Sequence, residues 1–310
     1  MHTADDLKFR QFNIKDRTII QSFINDFQPM SCEYNFANLF AWQDVSKLSW
    51  TIYKGRLLIY DAVDYQCSFM PLGRNFSSIE LANLSQKLKK RGLSPDFCLV
   101  RSKYIDKFLE IKHYYNIKKQ RDYAEYIYDV KKLAKLTGTK LHKKRNLIAQ
   151  FNRSFPDFKI DTLKQEYNSK IIDFSQTLMN RLDKQSKTVE QAKTAVQEFN
   201  ALQKALEYFD ELELEGLIIS IKDKIIAFSI FSKLNSFAYD IQFEKADNNF
   251  KGASQVINHE TAKYLEIRCK YLNREQDLGI NGLRQSKMSY EPLKLITPHI
   301  IEFKDFPLIE

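Results

Sequence analysis

The order of helical and strand patterns in the second half of this 310-residue chain constrains the fold more than any other feature. Residues 161–181 are predicted to be helical, and from Val189 onward apolar side chains recur at spacings of three and four, which predicts a long second helix. A polar turn ending in Gly252 precedes a third predicted helix over 253–270. Between the second and third helices, β-branched and aromatic stretches predict antiparallel strands at 214–221, 225–231 and 237–243. This order predicts an α+β domain with a mostly antiparallel sheet.

The first half has the same kinds of pattern. Two strand-like stretches flank Lys54-Gly55-Arg56 and predict a β-hairpin. Ser77 and Glu80 have the spacing of a capping box, which predicts a helix that Gly92 ends. A strand is predicted to follow at 97–100. Each half therefore combines helices with a hairpin or a small antiparallel sheet.

The chain is long for one domain and long enough for two, so it can bury a large hydrophobic core without disulfides or metals. We predict three regions: an N-terminal domain over 1–130, a basic bridging segment over 131–160 and a C-terminal domain over 161–310.

Positive charge is confined to one stretch. Residues 101–145 hold 14 Lys or Arg and 5 Asp or Glu, an excess equal to the net charge of +9. Clustered cations release counterions from a polyanion, so a phosphate-bearing partner such as tRNA is one interpretation. Lys143, Lys144 and Arg145 are its candidate phosphate-binding residues. A solvated helix face that keeps the protein soluble is the alternative.

Several classes of protein are not indicated. No apolar stretch approaches the length of about 20 residues that crosses a bilayer, so no transmembrane segment is expected. The start of the chain offers Asp5 and Asp6 rather than a secretory signal, and a cytoplasmic location is expected. No metal site is predicted, because the cysteines form no C-x-x-C pair and have no His at ligand spacing. They are Cys32, Cys67, Cys98 and Cys269.

A loop with the pattern Asn249-x-x-Gly252-Ala253-Ser254 opens the helix predicted after the three strands. The amino end of a helix offers free backbone amides and a positive dipole, so these residues are candidate phosphate ligands. The order of elements around the loop is similar to that of GNAT acyltransferases, and this resemblance implies acyl-CoA as a donor. Asn249 stands where the GNAT pattern has Arg or Gln.

The stretch 273–292 concentrates charges, amides, two glycines and a proline, as a functional site would. Together with Lys140–Phe151 and the loop before Gly252, it resembles proteins related to the C-terminal domain of phosphatidylglycerol lysyltransferase. The resemblance implies tandem GNAT-like domains, an architecture that Fem-type aminoacyltransferases share, and, as in the lysyltransferases, aminoacyl-tRNA as a donor. A lipid headgroup is the implied acceptor, with peripheral contact between protein and headgroups.

Three acidic residues are candidates for catalysis. Asp240 and Glu244 share the polar face of one predicted strand, where either could act as a general base, bind a substrate amine or simply face solvent. Glu260 falls within the apolar stripe of its predicted helix, so it is expected to point inward with a raised pKa. Arg284 or Lys287 could pair with it, and a structural ion pair is as compatible with the pattern as a catalytic acid.

The final segment adds further candidates. Tyr290 could donate a proton to a leaving group or could be a core aromatic packed beside Pro292. Arg284 and Lys287 suit a phosphate or a carboxylate.

Two hypotheses follow for the whole chain. In the first, it is a GNAT-like transferase that moves an aminoacyl group from tRNA, or an acyl group from CoA, to a small or lipid-like acceptor. In the second, the tandem fold is a non-catalytic module that binds a phosphorylated ligand or RNA.

Overall fold

Two seven-stranded sheets organise the chain, in a computed structural model that describes residues 7–183 and 189–304. Asp5 and Asp6, named above, lie outside the described residues. The strands are β1 (Arg10–Gln11), β2 (Ser49–Tyr53), β3 (Arg56–Asp61), β4 (Cys67–Phe69), β5 (Phe97–Val100), β6 (Tyr115–Lys119), β7 (Glu125–Asp129), β8 (Lys159–Thr162), β9 (Glu215–Ile221), β10 (Lys224–Asn235), β11 (Ala238–Ala246), β12 (Tyr271–Asn273), β13 (Lys294–Ile296) and β14 (His299–Phe303).

Helices cover both sheets. They are α1 (Arg17–Phe27), α2 (Phe36–Ser46), α3 (Ser78–Lys90), α4 (Ser102–Lys107), α5 (Ile111–Tyr114), α6 (Val130–Lys135), α7 (His142–Ser154), α8 (Asn168–Asp183), α9 (Val189–Glu207), α10 (Ala253–Leu265) and α11 (Asn281–Met288). Within the described ranges, no helix is both long enough and apolar enough to cross a membrane.

The two sheets repeat one topology. The first has the order β1-β2-β3-β4-β5-β14-β6 and the second the order β13-β7-β12-β11-β10-β9-β8. Each is antiparallel except for one parallel pair, β4 with β5 in the first sheet and β11 with β12 in the second. A helix connects each parallel pair, α3 in one half and α10 in the other. The predicted α+β class, with two mostly antiparallel sheets flanked by helices, is confirmed.

The halves exchange one strand each. β7 follows the first half in sequence but lies in the second sheet, between β12 and β13. β14 follows the second half and lies in the first sheet, between β5 and β6. β7 thus falls in the predicted N-terminal domain (1–130) and β14 in the predicted C-terminal domain (161–310), yet each completes the sheet of the other half.

The elements with local sequence signals form as predicted. β2 and β3 make the hairpin around Lys54-Gly55-Arg56. The backbone N of Ser77 donates to Glu80 Oε2 at 2.8 Å and the backbone N of Glu80 donates to Ser77 Oγ at 3.4 Å, so the capping box starts α3. By contrast, α10 ends at Leu265 rather than at 270, and the chain then turns into β12.

One hydrophobic core crosses between the halves. The ring of Phe40 on α2 packs edge-to-face on Tyr208, which follows α9, with ring centroids 4.9 Å apart. The basic segment takes a different place from the expected bridge, because α6 and α7 pack against α10 on the second sheet. Its cations consequently lie on the outer surface of the second half.

Gly252, at the start of α10, has a structural role. Its φ is +97°, and an added Cβ would lie 2.6 Å from the carbonyl oxygen of Leu147 and 2.9 Å from Cβ of Phe151. Only glycine allows α10 to approach α7 this closely in this conformation.

We therefore expect Gly252→Ala to lower the free energy of unfolding by ~3 kcal/mol or more, since backbone strain and a backbone clash combine. Gly138→Ala is the matched control: its φ is +95°, but nothing lies within 4 Å of an added Cβ. The control should lose only ~1–2 kcal/mol. Urea unfolding followed by circular dichroism measures both, and equal losses would contradict the packing role.

Candidate active site

A polar cluster fills the seam between the halves. Residues 31–38, a short 3-10 helix and the start of α2, supply one side. β11 and the loop after β12 supply the other side. The cluster is acidic: its carboxyl groups are those of Glu33, Glu125, Asp240 and Glu275.

Glu125, the first residue of the exchanged strand β7, ties three segments together. Its carboxyl group accepts from Ser31 Oγ at 2.5 Å, from the backbone N of Cys32 at 2.9 Å and from Asn273 Nδ2. The side chain is buried, and three donors from both halves compensate for its lost hydration.

Asp240 is the most deeply buried carboxyl group of the cluster, with no exposed surface. Its Oδ2 accepts from Asn35 Nδ2 at 3.2 Å and from Asn38 Nδ2 at 2.9 Å. Its Oδ1 has no hydrogen-bond partner among the described residues. A buried acceptor without a donor is costly, so this oxygen is an open position for a ligand that brings one.

The cluster reaches the surface through half-buried residues. Glu275 Oε1 accepts from Asn38 Nδ2 at 3.0 Å. Gln276 Nε2 donates to Glu33 Oε1 at 2.8 Å and contacts the sulfur of Cys32 at 3.3 Å. Glu33, Glu275 and Gln276 are each partly exposed, so the acidic cluster is connected to solvent.

Burial and crowding keep several of these groups neutral. Burial, with Glu125 and Glu275 nearby, raises the pKa of Glu33 to about 8. Burial first, and then Glu275 and Glu125, raise the pKa of Asp240 well above its ordinary value. Burial also raises the pKa of the Cys32 thiol, so this cysteine stays protonated and is a poor nucleophile.

Lys287, on the inner side of α11, provides the cation of the cluster. Its Nζ donates to the carbonyl oxygen of Arg274 at 2.6 Å and to that of Gln276. Burial lowers the pKa of Lys287, while Glu275 opposes that change. Burial likewise raises the pKa of Glu275, and Lys287 opposes it. The two pKa values therefore move toward each other, as they do in acid–base pairs.

A second group of side chains fills the opening where β11 and β12 part. The strands pair over only three residues each, and beyond this Arg274 binds Glu244 Oε1 at 2.8 Å. The ring of buried Tyr290 lies 5.1 Å from the guanidinium of Arg274 and 4.1 Å from Nζ of Lys144. Burial raises the pKa of Tyr290 to about 12. Glu244, Lys144 and Tyr290 thus lie together.

Glu260 lies elsewhere: its side chain is half-buried at the edge of α10, and the expectations of a raised pKa and of Arg284 or Lys287 as its partner are wrong. Its carboxyl group accepts from Lys263 Nζ at 2.9 and 3.0 Å and lies 3.5 Å from His259 Nδ1. Although burial opposes the change, these contacts lower the pKa of Glu260 rather than raise it. The predicted stripe misplaced it because Ile267, counted as a buried position, is 95% exposed beyond the end of α10.

Arg284 binds carboxylates of the chain itself. Its Nη2 donates to Asp277 Oδ1 at 2.8 Å and to Asp122 Oδ1 at 2.6 Å. Although burial alone would raise it, Arg284 and Tyr126 hold the pKa of Asp277 well below its usual range. Arg284 does not pair with Glu260, and its hydrogen bonds are committed to this structural ion pair.

The predicted phosphate loop is already occupied by protein groups. The backbone N of Asn249 donates to Asp247 Oδ1 at 3.0 Å, and Gly252 packs on α7. The backbone N of Ala253 donates to the carbonyl of Phe250, whereas Ser254 is exposed. Asp247 also pairs with Arg181, whose Nη1 lies 2.9 Å from both carboxylate oxygens, so the loop is held by contacts within the protein.

The three basic candidate residues have different surroundings and do not form one site. Lys143 is exposed, and Lys144 packs on Tyr290 as described. Nη1 of Arg145 donates to the carbonyl oxygens of Leu136, at 2.5 Å, and Gly138, at 2.9 Å. Arg145 therefore holds the turn between α6 and α7 and keeps only its other donors for a ligand.

Potential metal ligands do meet in the seam. Ligand atoms of Cys32, Asp240 and Glu275 lie within 4.8 Å of one another. The amide groups of Asn38 and Gln276 point their N–H donors at these atoms. An arrangement with donors facing acceptors suits a ligand that is itself a hydrogen-bond donor, such as an ammonium group, better than a bare cation.

Several residues of the cluster were not predicted as site residues. Glu33, Glu125 and Asn38 come from stretches with only local helix or strand signals, and their partners are as many as 237 residues away in sequence. One signal was available: Asn35 has the residue type of an N-cap before α2, and its side chain does accept from the backbone N of Ala37 at 3.0 Å.

The raised pKa of Glu33 predicts a pH dependence of stability. The folded state keeps a proton that the unfolded chain releases near its ordinary pKa of 4.5, so the stabilisation is full below that pH and lost as pH rises toward about 8. As the pH rises from 5 to 8.5, we expect the free energy of unfolding of Glu33→Gln to increase by ~1–2 kcal/mol relative to that of wild type, allowing for solvent screening. Melting temperatures at several pH values test this. Glu302→Gln, at the ion pair with Lys118, is the control, and parallel profiles for wild type and Glu33→Gln would contradict the assignment.

Comparisons with known proteins agree with this architecture. A conserved protein of unknown function from Bacteroides thetaiotaomicron superposes with a TM-score of 0.88 and 27% identity, over 96% of this chain and 100% of that one. L-PGS from Bacillus licheniformis gives a TM-score of 0.62 at 14% identity, over 94% of this chain and 92% of that one, which shows a shared fold.

A protein from Mycoplasmoides gallisepticum without a known activity is 26% identical over 180 residues, or 58% of this chain. The match spans 56% of that relative's length. The family described as phosphatidylglycerol lysyltransferase, C-terminal, matches residues 25–298. Because this match covers most of the chain, the protein belongs to the phosphatidylglycerol lysyltransferase C-terminal family.

Proposed function

We propose that the protein is an acyltransferase that moves an aminoacyl group from tRNA to a small or lipid-headgroup acceptor. The observation that carries this proposal is the open Oδ1 of buried Asp240 beside Glu275. The ammonium group of an aminoacyl ester would favour the ionised form of Asp240 and would donate to this oxygen and to the neighbouring Glu275 carboxylate. An acyl chain without an amine would leave Oδ1 of Asp240 without a donor. The membership of the family is consistent with this substrate class.

Glu275 and Lys287 are suited to the proton transfers that the reaction needs. A hydroxyl or amine of the acceptor attacks the ester carbonyl carbon, and its proton passes to the Glu275 carboxylate. The C–O bond to the ribose of the tRNA then breaks, and Lys287 protonates the leaving oxygen. Groups whose pKa values lie near neutral pH transfer protons efficiently in both directions.

Aminoacyl-tRNA fits the surface better than acyl-CoA. At the Gly252 loop, the backbone N–H groups of Asn249 and Ala253 already donate to Asp247 and Phe250, and Gly252 is packed on α7, so these groups are not free for a CoA pyrophosphate. The outer surface of α6 and α7 instead carries exposed cations, among them Lys131 and Lys143. A cavity of about 210 Å³ on the same surface is lined by the polar residues Lys135, Arg145, Asn152 and His259 and by the apolar residues Leu136, Ile148 and Ala149. Such a surface favours the phosphodiester backbone of an RNA.

The same basic surface would serve the alternative function, a non-catalytic module that binds RNA. The two functions differ in turnover, since only a transferase requires the acid–base pair. The binding module would keep full affinity for tRNA when Glu275 or Lys287 is replaced.

We expect Glu275→Gln and Lys287→Met each to lower the transfer rate by a factor of ~100 or more, because general acid–base catalysis contributes about that much. Purified protein would be incubated with total tRNA charged with radiolabelled amino acids and a lipid and small-molecule extract. Loss of label from tRNA and its appearance in product measure the rate. Acetyl-CoA should support no transfer.

Lys263→Met is the control, because Lys263 is an exposed lysine that pairs with Glu260 on α10. It should transfer at the wild-type rate. Melting temperatures would show that each variant is folded, and Glu275→Gln covers the case in which Lys287→Met unfolds the segment it supports. If wild type releases label no faster than both variants for every charged tRNA, the transferase function is wrong and the binding module remains.

A further inference from the structure

Asn38, near the start of α2, has an amide oxygen that the described part of the chain leaves unsatisfied. Its side chain is buried, with 8% of the residue surface exposed. Within residues 7–183 and 189–304, its Oδ1 has no hydrogen-bond partner. A buried amide oxygen normally accepts at least one hydrogen bond. Asn38 therefore gives the seam a second open acceptor, in addition to Oδ1 of Asp240.

The nitrogen of Asn38 fixes the orientation of the amide. Nδ2 lies 2.9 Å from Asp240 Oδ2, 3.0 Å from Glu275 Oε1 and 3.3 Å from the carbonyl oxygen of Cys32. A backbone carbonyl can only accept, so a flipped amide would place oxygen against oxygen there. The open atom of Asn38 is consequently the oxygen, and its amide group contacts both carboxyl groups of the proposed site.

These two carboxyl groups also keep one oxygen each for a ligand. Oδ2 of Asp240 accepts from the side-chain amides of Asn35 and Asn38, which leaves Oδ1 open. Glu275 uses Oε1 for Asn38 and keeps Oε2. The seam thus offers three oxygens around one amide group, from Asp240, Glu275 and Asn38.

Three acceptors match the three N–H groups of a primary ammonium. A secondary ammonium, as in an N-methylated or prolyl residue, has two N–H groups and would leave one buried oxygen without a donor. An N-formylated amine has one N–H group and no charge, so it would leave two oxygens unsatisfied. The number of N–H groups on the amine therefore decides how well it fits the seam.

We propose that Asn38 is a specificity-determining residue that restricts the acyl donor to esters with a free primary ammonium group. The inference rests on the proposed function and deepens it, because it names which aminoacyl esters the seam accepts. Prolyl, N-methylated and N-formylated esters are rejected, since each lacks the N–H group that Oδ1 of Asn38 would accept.

Binding of amino acid amides tests this selection without a transfer step. An amide keeps the ammonium group and the carbonyl group but has no ester to react. Wild type would be titrated calorimetrically with the amides of the L-amino acids and with their N-methylated forms. We expect N-methylation to weaken binding by about tenfold or more, because one hydrogen bond to a charged group is lost. Prolinamide should bind more weakly than alaninamide by a similar factor.

Two substitutions at Asn38 separate the oxygen from the rest of the side chain. Asn38→Ala removes the oxygen and leaves room for a methyl group, so primary and N-methylated amides should bind within about twofold of each other. Asn38→Asp keeps an oxygen at this position. Crowding by Asp240 and Glu275 would keep the new carboxyl group protonated, and its O–H would replace an N–H donor. Asn38→Asp should therefore keep the wild-type preference for primary amides.

Asn168→Ala is the matched control. Asn168 also has a buried Oδ1 without a partner among the described residues, and its Nδ2 donates to the carbonyl oxygen of Leu206 at 2.8 Å, outside the seam. The control should bind every amide as wild type does. Melting temperatures would show that each variant is folded.

Four results would overturn the role of Asn38. They are no binding of any amide by wild type, equal binding of primary and N-methylated amides, a wild-type preference in Asn38→Ala, and loss of the preference in folded Asn38→Asp. An ordered water on the open oxygens, in place of an ammonium group, would produce the second or third result. The proposed function fails separately: selective binding of amides without transfer from any charged tRNA would exclude the transferase and retain the amine site.

Discussion

The seam between the halves depends on the carboxyl group of Glu125. It begins the exchanged strand β7 and accepts hydrogen bonds from Ser31 and Cys32 of the first half and from Asn273 of the second. Burying a carboxyl group is costly unless several donors surround it, so these three segments must come together at once. The positions of Asp240, Glu275 and Gln276 follow, because all three lie on strands or loops that this junction fixes.

The seam concentrates unfavourable electrostatics that the rest of the fold must offset. Four carboxyl groups share a volume with one lysine, and burial raises the pKa values of Glu33, Asp240 and Glu275. A chain selected for stability alone would place apolar residues here. Buried charges crowded at one location, with apolar packing such as Phe40 on Tyr208 in the same core, are typical of functional sites.

Local chemistry explains which parts of this structure the sequence could predict. The capping box of Ser77 and Glu80 and the hairpin at Gly55 depend on residues a few positions apart, and both form as predicted. The order of elements was enough for the fold class. The prediction for Glu260 failed because α10 ends at Leu265, so Ile267 does not belong to the apolar stripe on which the prediction rested. The turn into β12, rather than periodicity, sets this boundary. Asn38 and Glu33 could not be assigned, because their partners are distant in sequence and single-residue patterns carry no information on them.

The exchange of β7 and β14 also constrains the order in which the chain can fold on the ribosome. β5 and β6 are synthesised early, but the strand that lies between them, β14, emerges about 180 residues after β6. Until then the first sheet has two open edges, which are sites of incorrect pairing between nascent chains. The first half consequently cannot complete its sheet before β14 has been synthesised.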